Sequence, residues 1–226
     1  MRSRRSTSGF TLIELLVVVG LIAGLTFFLV RGMSGGKGAA LQSAQATLSN
    51  YLIAVRTKAV ASGQGARLLV HNDPAAPEAA KRYLRYLALQ VFDGANWNTV
   101  ADTFLPEGTA LMPRDLTVPS NLVDPMKSWI RPSDNTALRS SSLRATTELD
   151  LRINSTVSER WSAIAVSAAG TTGNNGDLVL GSITYRAPGS YSVGESPVQF
   201  DDPQSVRGVS FGTYGVAVLV NGLHGF

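Results

Sequence analysis

The run from Gly9 to Val30, GFTLIELLVVVGLIAGLTFFLV, is apolar or small throughout except for Thr11, Glu14 and Thr26. As a helix rising 1.5 Å per residue it reaches roughly 33 Å, about the thickness of a bilayer's hydrocarbon core. A cleaved secretory signal has a shorter apolar region of about 7–15 residues and an A-x-A-like site after it. The run therefore predicts a retained single-pass anchor over residues 10–30, and any globular domain must fold beyond it. Arg2, Arg4 and Arg5 precede the run, against Arg31 and Lys37 after it, which places the N-terminus in the cytoplasm and the rest outside by the positive-inside tendency.

Glu14 does not suit a plain anchor, because a carboxylate inside an apolar span costs on the order of 2–3 kcal/mol. Two readings are open from residue type alone. Glu14 is near enough to the interface to stay hydrated or protonated, or it awaits a positive charge from another chain. Net charge adds little. The chain has 20 Lys and Arg against 16 Asp and Glu, but without residues 1–9 the balance is 17 against 16. A nucleic-acid function cannot be argued from that. There is no cysteine, hence no disulfide framework, and the roughly 160 residues after Gly63 are enough to build one core.

The stretch Gly9-Phe10-Thr11-Leu12-Ile13-Glu14, between the basic leader MRSRRSTS and an unbroken apolar run, resembles the N-terminal signature of type IV prepilins and type II secretion pseudopilins. The resemblance implies that a prepilin peptidase cuts between Gly9 and Phe10 and that the new amine of Phe10 is methylated. Glu14, then fifth in the mature chain, would pair with the terminal amine of a neighbouring subunit and register it in a growing filament. Implied partners are the peptidase, other pilins or pseudopilins, an inner-membrane assembly platform and an assembly ATPase. The implied location is the inner membrane, with the globular domain periplasmic until it enters a filament. Many pilins close a C-terminal loop with a disulfide, and this chain departs from that pattern.

The expected fold is α+β and pilin-like, a long helix, apolar then amphipathic, packed on an antiparallel sheet. Residues 1–9 form the leader. Residues 31–38, with glycines at 32, 35, 36 and 38, weaken the helix, since each costs about 1 kcal/mol relative to alanine in a helix interior. They are either a flexible linker or a hinge that melts within a filament. From 39 to 62, Leu41, Ala44, Leu48, Leu52, Val55 and Ala59 form one stripe, Arg56 and Lys58 sit toward the negative end of the helix dipole, and Ser62-Gly63 marks its end. Residues 63–226 read as a β-rich domain. Strands are predicted at 67–71, from Arg82 to Val91, and at 97–100, 109–112, 161–166, 178–186, 198–200, 206–211 and 216–220, the last as an interior strand. A short helix is expected near 78–84, and residues 113–148 read as irregular with a short helix. Beyond the first thirty residues the resemblance is to minor, H-type pseudopilins.

Chemistry-bearing patterns are sparse. His71 and His224 stand apart, and no H-x-x-H or G-x-S-x-G occurs, so an enzyme is not expected and neither is a cofactor or metal. Asp201-Asp202, Asp177 and Asn174-Asn175 offer oxygen ligands suited to calcium but read better as solvated turns. Trp97, Trp129 and Trp161 read as core or edge packing. The leading expectation is a structural filament subunit, a minor pilin or pseudopilin. The alternatives are a filament-tip subunit binding DNA, a surface or a secreted substrate, or an anchored domain that never polymerises. Arg82, Tyr83, Arg85 and Tyr86 hint at a DNA-binding stripe.

Overall fold

The structure, a computed structural model, describes residues 12–114, 131, 136, 138–144, 146–203 and 205–226, without the side chains of 14, 15, 22–36 and 144. Its longest element is a single helix, α1, Leu12–Ser62. The backbone stays helical through the glycine-rich residues 31–38. The helix stops where Gly63 takes a left-handed φ of 64° and its N–H bonds to the carbonyl of Val60 at 3.2 Å. Arg56 and Lys58 lie a turn too early to meet the helix end, and the last turn holds no basic residue.

Beyond α1 come β1 (Ala66–His71), α2 (Ala79–Arg82), β2 (Tyr86–Phe92), β3 (Trp97–Phe104), β4 (Thr109–Leu111), α3 (Ser141–Arg144) and β5 (Thr147–Leu151). There follow β6 (Glu159–Val166), β7 (Gly176–Tyr185), β8 (Val198–Phe200), β9 (Val206–Phe211), β10 (Ala217–Asn221) and a 3-10 turn, Leu223–Gly225. The class is α+β with every described strand pairing antiparallel, but the strands form two main sheets where one was expected. Sheet A runs β3-β2-β1-β6-β5, and sheet B runs β10-β9-β7-β4 with β8 pairing the far end of β7.

The second half of α1 holds both sheets together. Leu41, Ala44, Leu48, Leu52, Val55 and Ala59 are buried, and they share one core with Leu68 and Val70, Leu87 and Leu89, Ile164 and Val166, Leu178 and Leu180, and Val209 and Phe211. Burying each large aliphatic side chain contributes about 1.5–3 kcal/mol, so this stripe fixes where the domain sits on the helix. A polar clamp sets the register. Gln45 Nε2 donates to the carbonyls of Gly208 and Val220 at 2.7 and 2.8 Å. Gly208 has to be glycine because a Cβ there would stand 2.2 Å from the Leu178 carbonyl oxygen.

Several expectations need correction. The strand predicted from Arg82 begins only at Tyr86, because α2 runs to Arg82 and Leu84 then turns the chain at a φ of 54°. Leu84 holds that strained conformation because its side chain is fully buried and its backbone bridges His71 and Leu111. The β5 strand was not predicted, since TELDL has little apolar alternation and borders sheet A with mostly exposed side chains. The last strand is no interior strand. It lies at the edge of sheet B with Val218 and Leu219 exposed. Most of 113–148, including Trp129, lies outside the described residues.

Candidate functional site

The expected site residues lie at the start of the chain. Gly9 and Phe10 fall outside the described residues, and Glu14 is placed only as a backbone position in the first turn of α1. Around it Leu12, Ile13, Leu16, Val17, Val18, Val19 and Leu21 are all exposed, Leu12 to 83%. Apolar side chains so placed on a helix are uncovered among the described residues, as at a surface made for contact. Among the described residues no helix is long and apolar enough to cross a membrane. The expected span, 10–30, falls in part outside them.

Where the helix meets the domain, Lys37 Nζ lies 2.9 Å from Asp201 Oδ2. Asp201 also accepts hydrogen bonds from the hydroxyls of Ser182 at 2.6 Å and Thr184 at 2.7 Å. Burial pushes its pKa up, but the two hydroxyls and Lys37 outweigh this and hold the carboxyl below its ordinary value. Asp201 is therefore engaged by protein donors, and Asn174 Oδ1 likewise accepts the Ala165 N–H. Among the described residues no group of three or more histidine or acidic side chains is placed to hold a metal.

The sequence reading also missed a buried ionic cluster on the face of sheet A away from α1. Arg82 lies 3.1 Å from Glu159 Oε2, donates to the Ile153 carbonyl at 2.6 Å and stacks on the Tyr86 ring at 4.6 Å. His71 Nε2 lies 3.4 Å from the same carboxylate oxygen, with its ring edge-on to Trp161. Nearby, Arg85 donates to the carbonyls of Thr109 and Leu105 and to the Tyr185 hydroxyl. Arg82, Tyr83, Arg85 and Tyr86 are thus all buried, which overturns the suggested nucleic-acid stripe. Short-range composition could not reveal this, because the carboxylate that neutralises Arg82 is 77 residues away in the chain. The cluster binds the 152–158 loop to the sheet rather than presenting a reactive group.

Burial, and then the Arg82 charge, lower the His71 pKa from 6.5 to about 4, so at neutral pH the ring is uncharged. Between those values the unfolded chain holds the extra proton, so stability is expected to fall as pH drops from 6.5 toward 4, by about 3 kcal/mol at most. Glu159 offsets part of this. Burial raises its pKa despite Arg82 and Ser155, so the folded state takes up that proton first. Urea midpoints of wild type and His71→Gln across this range test the assignment, with a flatter profile expected for the variant.

A helix with a bare apolar end, seated at its other end in antiparallel sheets, is consistent with a pilin-like subunit. Residues 4–23 match the family model described as the prokaryotic N-terminal methylation motif, the motif of a type IV prepilin- or pseudopilin-like protein. The match takes in Gly9, Phe10 and Glu14. No curated protein and no solved structure matches the chain.

Proposed function

We propose that this chain is a minor pilin or pseudopilin, a non-catalytic structural subunit of a type IV pilus or a type II secretion pseudopilus. The observation that carries this reading is the methylation motif at residues 4–23. The motif leads directly into a helix whose apolar side chains from Leu12 to Leu21, where described, have no cover among the described residues. A prepilin peptidase cuts between Gly9 and Phe10, and Phe10 is methylated on its new amine. The subunit waits in the inner membrane as a single-pass protein with its domain in the periplasm. The assembly platform and its ATPase then draw the helix into a bundle of like helices.

In that bundle Glu14 takes the N-terminal amine of a neighbour. A carboxylate in low dielectric gains most from such a partner and is most costly without one, so a subunit at the wrong height leaves two charges unpaired. Glu14→Ala is therefore expected to be cut and methylated normally but to enter filaments at well under a tenth of the wild-type amount. Mass spectrometry of the membrane-bound chain and immunoblotting of sheared filaments measure the two separately. Normal filament content in the variant would remove Glu14 from this role.

A further inference from the structure

Sheet A ends in β3 and β5, and sheet B ends in β4 and β10. Between β10 and α1 lies a groove of about 580 Å³, lined by Ile53, Arg56, Thr57, Val60, Val216 and Ala217. That is within the roughly 300–1,000 Å³ of sites that take small ligands. The lining is apolar apart from Arg56 and Thr57. Ile53, Val60 and Val216, with Val218 and Leu219 farther along β10, are each more than half exposed.

Arg56 is seated where the groove meets Gly215, between two turns that hold its side chain. Gly170 and Gly215 take left-handed φ values of 76° and 66°. A Cβ at Gly170 would stand 3.0 Å from Val60 Cγ2 and 3.3 Å from Arg56 Nε, and one at Gly215 would stand 3.2 Å from Arg56 Cδ. Glycine at both positions therefore makes room for the arginine. The Thr172 N–H donates to the Thr213 carbonyl at 2.8 Å and ties the two turns together. The Arg56 guanidinium itself has no hydrogen bond or ion pair among the described residues. Residues 37–62, 160–176 and 203–226, the stretches that build this surface, contain no Asp or Glu. A cation held in place beside apolar surface, with no acid of its own, suits a carboxylate carried on an apolar body.

A strand at the end of a sheet offers its outward N–H and C=O groups to an extended chain, which then turns alternate side chains to one face. We infer that β10 and its groove receive the C-terminal segment of a different protein, with apolar side chains at alternate positions and the terminal carboxylate on Arg56. The five residues of β10 set the length that can pair. The direction follows from Arg56, which lies at Gly215, just ahead of β10. A segment running antiparallel to β10 brings its last residue there. Residues 222–226 of this chain are engaged in their own domain, the Phe226 ring against Gly208, so they are not free to fill the groove of a second copy. The contact involves only the folded domain and stands apart from cleavage and filament entry.

Full-length chain in nanodiscs is titrated into a short fluorescein-labelled peptide of alternating threonine and valine that ends in a free valine carboxylate, and into the same peptide as its C-terminal amide. Fluorescence anisotropy is expected to show the acid binding roughly tenfold more tightly than the amide. Arg56→Gln should abolish that difference, and Val216→Glu, which sets a carboxylate in the groove, should weaken the acid by a similar factor. Lys58→Gln makes the same charge change outside the groove lining and should leave the affinity within about twofold. Unchanged thermal melts of the three variants exclude misfolding, and the comparison of acid with amide on the wild type needs no variant. Equal affinity for acid and amide, equal losses in Lys58→Gln and Arg56→Gln, or no binding of the acid below about 1 mM overturns the inference. Stronger displacement of the probe by dodecanoate than by unlabelled peptide would make an acyl chain the occupant, and dimers in native mass spectrometry that the acid peptide dissociates would make it a second copy. Either result overturns the inference as well.

Discussion

Gly9→Ala is expected to leave the chain uncut, retaining its nine-residue leader and a free, unmethylated Met1 end. The reason is steric as well as positional. The proposed cut lies where a basic polar leader meets an apolar helix, and a residue without a side chain lets an enzyme approach the backbone from any side. Even one methyl group at that point obstructs the approach. The leader, with Arg2, Arg4 and Arg5, would then stay on the cytoplasmic side and oppose withdrawal of the helix from the membrane. Filament incorporation should therefore fall below detection together with processing, unlike Glu14→Ala, where only incorporation falls. Intact-mass measurement of the purified chain from cells with an active peptidase decides it. A wild-type mature mass for the variant would overturn the requirement for glycine at position 9.

The largest effect on folding is expected from Glu159→Ala, at about 3–5 kcal/mol. The carboxylate is 2% exposed and Arg82 is 4% exposed, so removing the acid leaves a buried guanidinium with no ion-pair partner among the described residues, hydrogen-bonded to the neutral carbonyls of Ile153 and Asn154. Ser155, which donates to Glu159 at 3.1 Å, loses its acceptor as well. For a domain of this size the melting temperature should drop on the order of 10 °C. The double variant Arg82→Met, Glu159→Leu is expected to recover most of that, since an apolar pair of similar volume avoids the desolvation that the ion pair must overcome. Thermal melts of the three proteins test this. A single variant within 1 kcal/mol of wild type, on the order of measurement scatter, would mean that water reaches Arg82.

The reading of the strands shows where local pattern suffices. Val198–Phe200 and Val206–Phe211 were predicted at their observed bounds, because β-branched and aromatic residues there are closed off by turn residues on both sides. The run RYLRYLALQ misled, since alternation of large residues looks the same in a strand as in a helix end followed by a turn. The carbonyl of His71, which receives the Leu84 N–H, decides between them, and His71 is 13 residues earlier in the chain. VAVLV misled for a different reason. An apolar run reports affinity for a sheet but carries no information about position within it, and in this protein it became the edge.

The sequence by itself determined the motif, the apolar rod that follows it and the amphipathic stripe that carries the domain, because each is a local pattern whose period or spacing is written in adjacent residues. Only the tertiary structure decided that two sheets share that one helix, that Arg82 and Arg85 turn inward to acceptors far along the chain, and that the last apolar strand stands at the edge of its sheet. Those outcomes depend on which distant segments come together. That choice is made by the burial of the whole core at once, and no single stretch encodes it.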